Sequence, residues 1–229
     1  MKDKLTVIKK TPLFKELSPQ FIDEIARITL WEEYDRGEMI FSEGQPGKGF
    51  YVIESGKIKV FKLSVDGKEQ ILHILGPGEP FAEVAVFAGG RFPANAQAIE
   101  TARVLFFPRK AFVELISREP MLAMNMLALL AMRLRKFTKL IENLSLREVP
   151  ARLAAFLVVL SSKHEGADRL KLDLSKSQLA SLLGTIPETL SRIFFRMSRE
   201  GVIVINGSEI LITDRERLEE LAAGLRRLS

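Results

Sequence analysis

Cysteine is absent from the 229 residues, which excludes disulfides, thiolate nucleophiles and any cysteine-ligated zinc or iron–sulfur centre. Histidine is nearly absent too: the chain has two, His73 and His164, so groups that change charge near neutral pH are scarce. No nucleophile–base–acid set, metal-ligand spacing or cofactor loop stands out, and an enzyme is not expected. Long apolar runs are also missing. The richest, 121–132 and 153–160, are too short to cross a bilayer, and the leading MKDKLTVIKKTPLF lacks the apolar centre of a secretion signal. These features point to a cytoplasmic protein with no membrane partner. Charge bias is weak as well. The formal net charge of +5 leans toward a polyanionic partner, but basic and acidic side chains nearly balance over 146–229. Affinity for a nucleic acid must therefore come from local placement, not from a basic tail.

What is present is concentrated in 175–199, SKSQLASLLGTIPETLSRIFFRMSR. Leu179, Leu182 and Leu183 have helical spacing, and Gly184 can end that helix in the left-handed conformation. Pro187 suits the first turn of a second helix, where its missing N–H costs nothing. There Leu190, Ile193, Phe194 and Met197 make one apolar face, with Glu188, Ser191, Arg192, Arg196 and Arg199 off it. Ala180 lets the two helices approach closely. Two short helices joined by a Gly-containing turn make a helix-turn-helix. Arg192 can offer a two-pronged donor to guanine, and Glu188 can accept from a cytosine amino group. A plain helical hairpin with a solvated charged face fits those residues equally well. The neighbouring VIVINGSEILITD, with β-branched runs around Asn206-Gly207, reads as a hairpin, and a hairpin after a recognition helix is a wing. Candidate DNA-facing residues are Ser175, Ser177, Pro187, Glu188, Thr189, Ser191, Arg192 and Arg196.

Upstream, residues 5–30 read as a helical lead-in with Phe21, Ile22, Ile25 and Ile28 inward. From 31 to 108, short β-type runs broken by Gly and Pro argue for an antiparallel roll, with hairpin turns at Asp66-Gly67 and Gly76-Pro77-Gly78. The glycine-rich 44–49 stretch lacks the ending of a phosphate loop and reads as a turn. Residues 110–120 form a short helix, and 121–144 a long one without Gly or Pro. Met121, Ala128, Met132, Arg135 and Ile141 follow one seam of it, suited to pairing with a twin helix about a two-fold axis. Residues 142–145 read as a hinge, 147–164 as a helix, HEGADRL as a loop, and Asp214 as the cap of a final helix. The fold class is α+β: an effector-sensing antiparallel β-roll with its lead-in (1–118), a dimerisation helix with hinge (119–145) and a winged helix-turn-helix (146–229).

A roll carrying GQPGKGFYVIESGKIKVF, then a long helix, then a winged helix with ETLSR resembles the CRP/FNR superfamily of bacterial transcription regulators, over about residues 13 to 212. The resemblance implies a cyclic-nucleotide-binding-like jelly roll, a homodimer on double-stranded promoter DNA, contact with RNA polymerase, and an effector pocket in the roll beside the long helices. It also implies that Glu188, Ser191 and Arg192 contact bases, while Pro187 stands where one branch has an arginine. In cyclic-AMP-binding members an Arg-Ser pair clamps the phosphate. Here Phe92 and Pro93 hold those positions, with Arg91 one residue away. Glu83 corresponds to the ribose-binding glutamate, and Phe137 and Thr138 replace the Thr-Ser pair that reads adenine. Burying a cyclic phosphate without a cation is costly, so cyclic AMP is not the expected effector. Without cysteine, an iron–sulfur cluster is excluded.

The segments FAEVAVF, FPANAQAIE and PETLSR resemble the DNR/HcpR-type regulators of denitrification and nitrosative stress. That likeness implies nitric oxide sensing through haem, and His73 is then the candidate iron ligand. A lone histidine on a strand is more often simply a partly buried, hydrogen-bonded residue. Phe81 and Phe87 join Phe92 as candidate apolar lining. Methionines 121, 124, 126 and 132 could offer a sulfur ligand, but at helical spacing they read as core filler. The competing function is a ligand-binding module that acts on a protein partner without touching DNA, although such modules end after the long helix.

Overall fold

The computed structural model describes residues 4–84 and 90–228. Two compact units divide at Arg135/Lys136.

In the first unit, helix α1 (Lys4–Lys10), a 3-10 turn (Pro12–Phe14) and helix α2 (Pro19–Ile28) lead in. Ser18 caps α2, its Oγ accepting from the Phe21 N–H at 3.3 Å, and Pro19 occupies the first turn. Eight strands follow: β1 (Leu30–Tyr34), β2 (Met39–Phe41), β3 (Gly49–Ser55), β4 (Ile58–Leu63), β5 (Glu69–Leu75), β6 (Pro80–Phe81), β7 (Asn95–Ala98) and β8 (Ala102–Pro108). They make two antiparallel sheets, ordered β1-β8-β3-β6 and β2-β7-β4-β5. The turn at Asp66-Gly67 closes a β4–β5 hairpin in which Leu63 faces Glu69. The expected hairpin at Gly76-Pro77-Gly78 is instead a crossover: β5 pairs with β4, whereas β6 pairs with β3 in the other sheet. Local turn chemistry is the same in both cases, so only strand partnership distinguishes them.

Strand β3 is buried on both faces because each face has its own core. Phe50 and Val52 join α1, α2 and Phe107 on one side, while Tyr51 and Ile53 join Phe41, Phe81 and Phe92 between the sheets. Gly49 is required where β3 meets β8, since a Cβ there would lie 2.1 Å from the Phe107 carbonyl oxygen. The glycine-rich stretch before it is a turn running into β3, not a helix start. Helix α3 (Arg109–Ile116) precedes the long helix α4 (Pro120–Leu146). Within the first unit, Leu122 and Met126 of α4 are buried against the lead-in core.

Residues 142–145, expected to be a hinge, are helical, and the break comes after Leu146. Pro150 explains the position: it has no N–H for the carbonyl four residues back, but it fits the first turn of a new helix. That helix, α5 (Val149–Lys163), opens the winged domain of the second unit. Strand β9 (Arg169–Lys171), helix α6 (Lys176–Leu182), helix α7 (Pro187–Arg199), strands β10 (Ile203–Asn206) and β11 (Glu209–Ile212) and helix α8 (Arg215–Ala223) complete it. Its core gathers Leu153, Leu157, Leu179, Leu190, Phe194, Ile203, Ile210 and Leu218. Part of the expected 164–170 loop is strand β9, whose Leu170 pairs opposite Ile210. Three residues are too few for alternation to be visible in the sequence, and the wing's edge recruits them. Asp214 caps α8 as expected, accepting from the Arg217 N–H at 2.9 Å.

Candidate nucleic-acid interface and roll interior

Helix α6 begins with a capping box. Ser175 Oγ accepts from the Gln178 N–H at 3.2 Å, and the Gln178 side chain accepts from the Ser175 N–H at 2.9 Å. Gly184 then turns the chain at φ 65°, a conformation that penalises side chains. Pro187 opens α7, and Leu190, Ile193, Phe194 and Met197 are buried beneath it. The opposite face, carrying Glu188, Ser191 and Arg192, is exposed, with Thr189 half-buried at its edge. Arg192 Nη2 donates to Thr189 Oγ1 at 3.2 Å, which restrains the guanidinium without covering it. Glu188 in the first turn also complements the helix dipole.

Two of the candidate residues have other duties. Arg196 is half-buried, and its Nη2 donates to the Leu228 carbonyl at 2.6 Å, so it ties the end of the chain to α7 and is not presented outward as expected. The Ser175 hydroxyl is engaged in its cap, whereas Ser177 is exposed on the first turn of α6. Sequence reasoning passed over Phe195. Its neighbour Phe194 is 5% exposed, but Phe195 itself is 68% exposed, on the same face as Glu188 and Arg192.

Strand β10 and strand β11 form the wing. Asn206 faces Glu209 across the turn, and Gly207 has φ 62°. Arg217 holds the wing's base by pairing with the Glu200 carboxylate and donating to the Glu200 carbonyl at 2.8 Å.

In the roll, Phe92 stacks on Phe41 with centroids 3.8 Å apart, and Phe81 stacks on Tyr51 at 5.0 Å. Phe81 and Phe92 therefore share one inter-sheet aromatic core and do not line an open cavity from its two sides. Arg91 and Pro93 lie outside this core. Arg91 is exposed, its Nη1 donating to the Gly44 carbonyl at 2.6 Å, and the exposed Pro93 accepts from Lys62 Nζ at 3.1 Å. Alternation along 91–93 sends Phe92 inward and both neighbours outward. Phe87 lies outside the described residues. Phe137 and Thr138 belong to α4 in the second unit, half-buried and exposed respectively.

Glu83 is fully buried and forms an ion pair with Arg133 of α4, which also donates to the Pro80 carbonyl. Burial lowers the Arg133 guanidinium well below its ordinary value, to about 10, partly offset by the Glu79 carboxylate. Among the described residues, the second Glu83 oxygen accepts no hydrogen bond. Arg133 escaped the sequence reading because an arginine inside an apolar helical run looks like a solvated residue.

His73 is half-buried on β5 opposite Val60, two residues before Leu75, which lies opposite Ile58, and residues two apart on a strand share a face. Directly opposed residues share a face, and Val60 and Leu75 pack into the inter-sheet core, so the imidazole faces inward. From that position a ring nitrogen could hold a metal-bearing group placed inside the roll. Among the described residues no group of three His, Asp or Glu gathers as a metal site.

Comparison with known proteins matches residues 31–119 to the cyclic nucleotide-binding domain family and residues 151–221 to the Crp-like helix-turn-helix domain family. The chain is 34% identical over 218 residues to the cyclic AMP receptor protein of Thermus thermophilus, covering 95% of this chain and 100% of the relative. It is 31% identical to the transcriptional activator protein Anr of Pseudomonas aeruginosa, covering 82% and 79%. The crystal structure of the Thermus thermophilus catabolite activator protein superposes with a TM-score of 0.54 at 33% identity, covering 94% of this chain and 100% of that one.

Proposed function

Because the chain belongs to the CRP/FNR family of DNA-binding transcription regulators, we propose that it acts as a homodimer on promoter DNA. In this reading each copy presents α7 to a major groove, and an effector in the roll shifts the population of the DNA-competent state. RNA polymerase is the partner at the promoter. The observation that carries the DNA role is the exposed Glu188–Ser191–Arg192 face on a helix whose opposite face is fully packed. Arg192→Ala is expected to cost about 1–3 kcal/mol at one base pair and to relax preference there, read by gel shift on operator variants. Unchanged affinity and preference would remove α7 from the reading role.

The effector is read as something other than cyclic AMP. Phe92 brings no charge and its ring is packed on Phe41, and Arg91 is committed to the Gly44 carbonyl. A cyclic phosphate in the roll would therefore be desolvated without a cationic clamp. Haem held through His73, with nitric oxide as signal, is the reading we favour, in line with the DNR/HcpR-like segments. Haem bound there would supply an iron position for a diatomic gas, and this chain would contribute one inward imidazole and apolar surroundings. The test is haem titration of the purified protein. A Soret band that responds to nitric oxide and is lost in His73→Ala supports the reading. No specific uptake, together with saturable cyclic AMP binding by calorimetry, overturns it.

A further inference from the structure

We propose that Phe195 is a specificity-determining residue that reads a thymine methyl group in each half-site. The proposal rests on α7 being the DNA-reading helix. At about 100° per residue, the positions one, two and three turns apart superpose. Glu188, Arg192, Phe195 and Arg199 thus fall within one narrow stripe, with Phe195 between Ser191 and Arg192 in angle. Phe195 is at the centre of the exposed face, not at its margin.

A single exposed apolar side chain ordinarily needs no explanation. This one is a phenyl ring 68% exposed, flanked by Glu188, Ser191, Arg192 and Arg199, all exposed. The same helix buries four apolar side chains on its other side, so its packing demand is met without Phe195. Along the axis the ring lies about 4.5 Å beyond Arg192, at 1.5 Å per residue. That is roughly the rise of one further base pair, past the one Arg192 reaches. The available surface there is the base edges of the major groove, where the one apolar feature is the C5-methyl of thymine. A phenyl ring offers no hydrogen bond to the other edges, so the chemistry selects the methyl.

An operator selected from a random duplex library supplies the substrate, and each thymine of one half-site is then replaced singly by deoxyuridine, which removes only the methyl group. For the wild-type dimer, one replacement should weaken binding about fourfold, the value of one buried methyl group. For Phe195→Ala the same replacement should change nothing, because the ring that covered the methyl is gone. Since Phe195 lies outside the core, Phe195→Ala keeps the packed face of α7. The proposal is overturned if wild-type protein tolerates every deoxyuridine, or if Phe195→Ala retains the penalty. Arg192→Ala is run in parallel. Loss of preference in Arg192→Ala with no methyl effect at Phe195 defeats this inference alone, whereas no effect from either variant also defeats the reading of α7.

Discussion

At the scale of single residues, the strongest local commitment is the buried Glu83–Arg133 pair. Removing one partner strands the other's charge where water does not solvate it, whereas neutralising both removes that stranded charge. Arg133→Met is expected to cost roughly 3–5 kcal/mol in denaturant unfolding, and Glu83→Gln added to it should recover much of that loss. Equal stability of the single and double variants would mean that Glu83 is solvated. The two tyrosines give a second check. Burial, with the Glu32 carboxylate close by, raises both phenols: Tyr51 is pushed up to about 12, and Tyr34, which donates to Glu32 at 2.5 Å, is pushed higher still. A raised folded-state value means that the neutral phenols stabilise the fold fully below pH 10, and that this contribution is lost as pH climbs from 10 toward 12. Absorbance at 295 nm should therefore show little tyrosinate at pH 10, where a free phenol is half ionised, and the signal should rise together with unfolding. Half-ionisation at pH 10 in folded protein would contradict it.

At the scale of elements, the long helix α4 and helix α7 differ in what they leave uncovered. Helix α7 leaves polar and charged residues outward, with Phe195 the exception. Helix α4 leaves Met121, Met124, Leu127, Met132 and Ile141 exposed, each above 40%. Met121, Met124, Ala128, Ala131 and Arg135 recur at alternating spacings of three and four, the pattern of a two-helix seam. Met124→Glu should place two carboxylates across the two-fold axis and give a folded monomer at micromolar concentration by sedimentation velocity. A Met124→Glu variant that remained fully dimeric would move the pairing surface elsewhere. Helix α4 also shows how elements are legible unequally. Its length and apolar content are plain from 121–144, but its true end is set by Pro150, beyond the stretch that looks like a hinge.

At the scale of the whole molecule, the proposed homodimer uses two reading heads together, while the chain carries only a modest positive excess. Affinity for a full operator should therefore fall steeply with salt, by a factor on the order of 10³ between 50 and 200 mM for about six phosphate contacts. The monomeric Met124→Glu variant should show about half that logarithmic slope, since it engages one half-site. Equal slopes for the two proteins would mean that one head carries the contact.

Periodicity, turn residues and caps were enough to read the antiparallel β-domain, the long helix, the winged helix and the packed face of α7, because those depend on spacing within a few turns of chain. Ser18, Ser175, Gly184 and Asp214 act where local chemistry places them. Partnership across distance was not legible. Nothing near Gly76-Pro77-Gly78 says that the chain changes sheets there. Nothing near Arg196 says that its guanidinium is taken by the Leu228 carbonyl, and nothing near Arg133 says that a carboxylate fifty positions earlier is buried against it. Phe194 and Phe195 are identical letters in the sequence, and only packing sends one into the core and leaves the other facing out. Such choices belong to tertiary structure because burial is decided by what arrives from elsewhere in the chain, whereas helix phase and turn geometry are decided by the residues themselves.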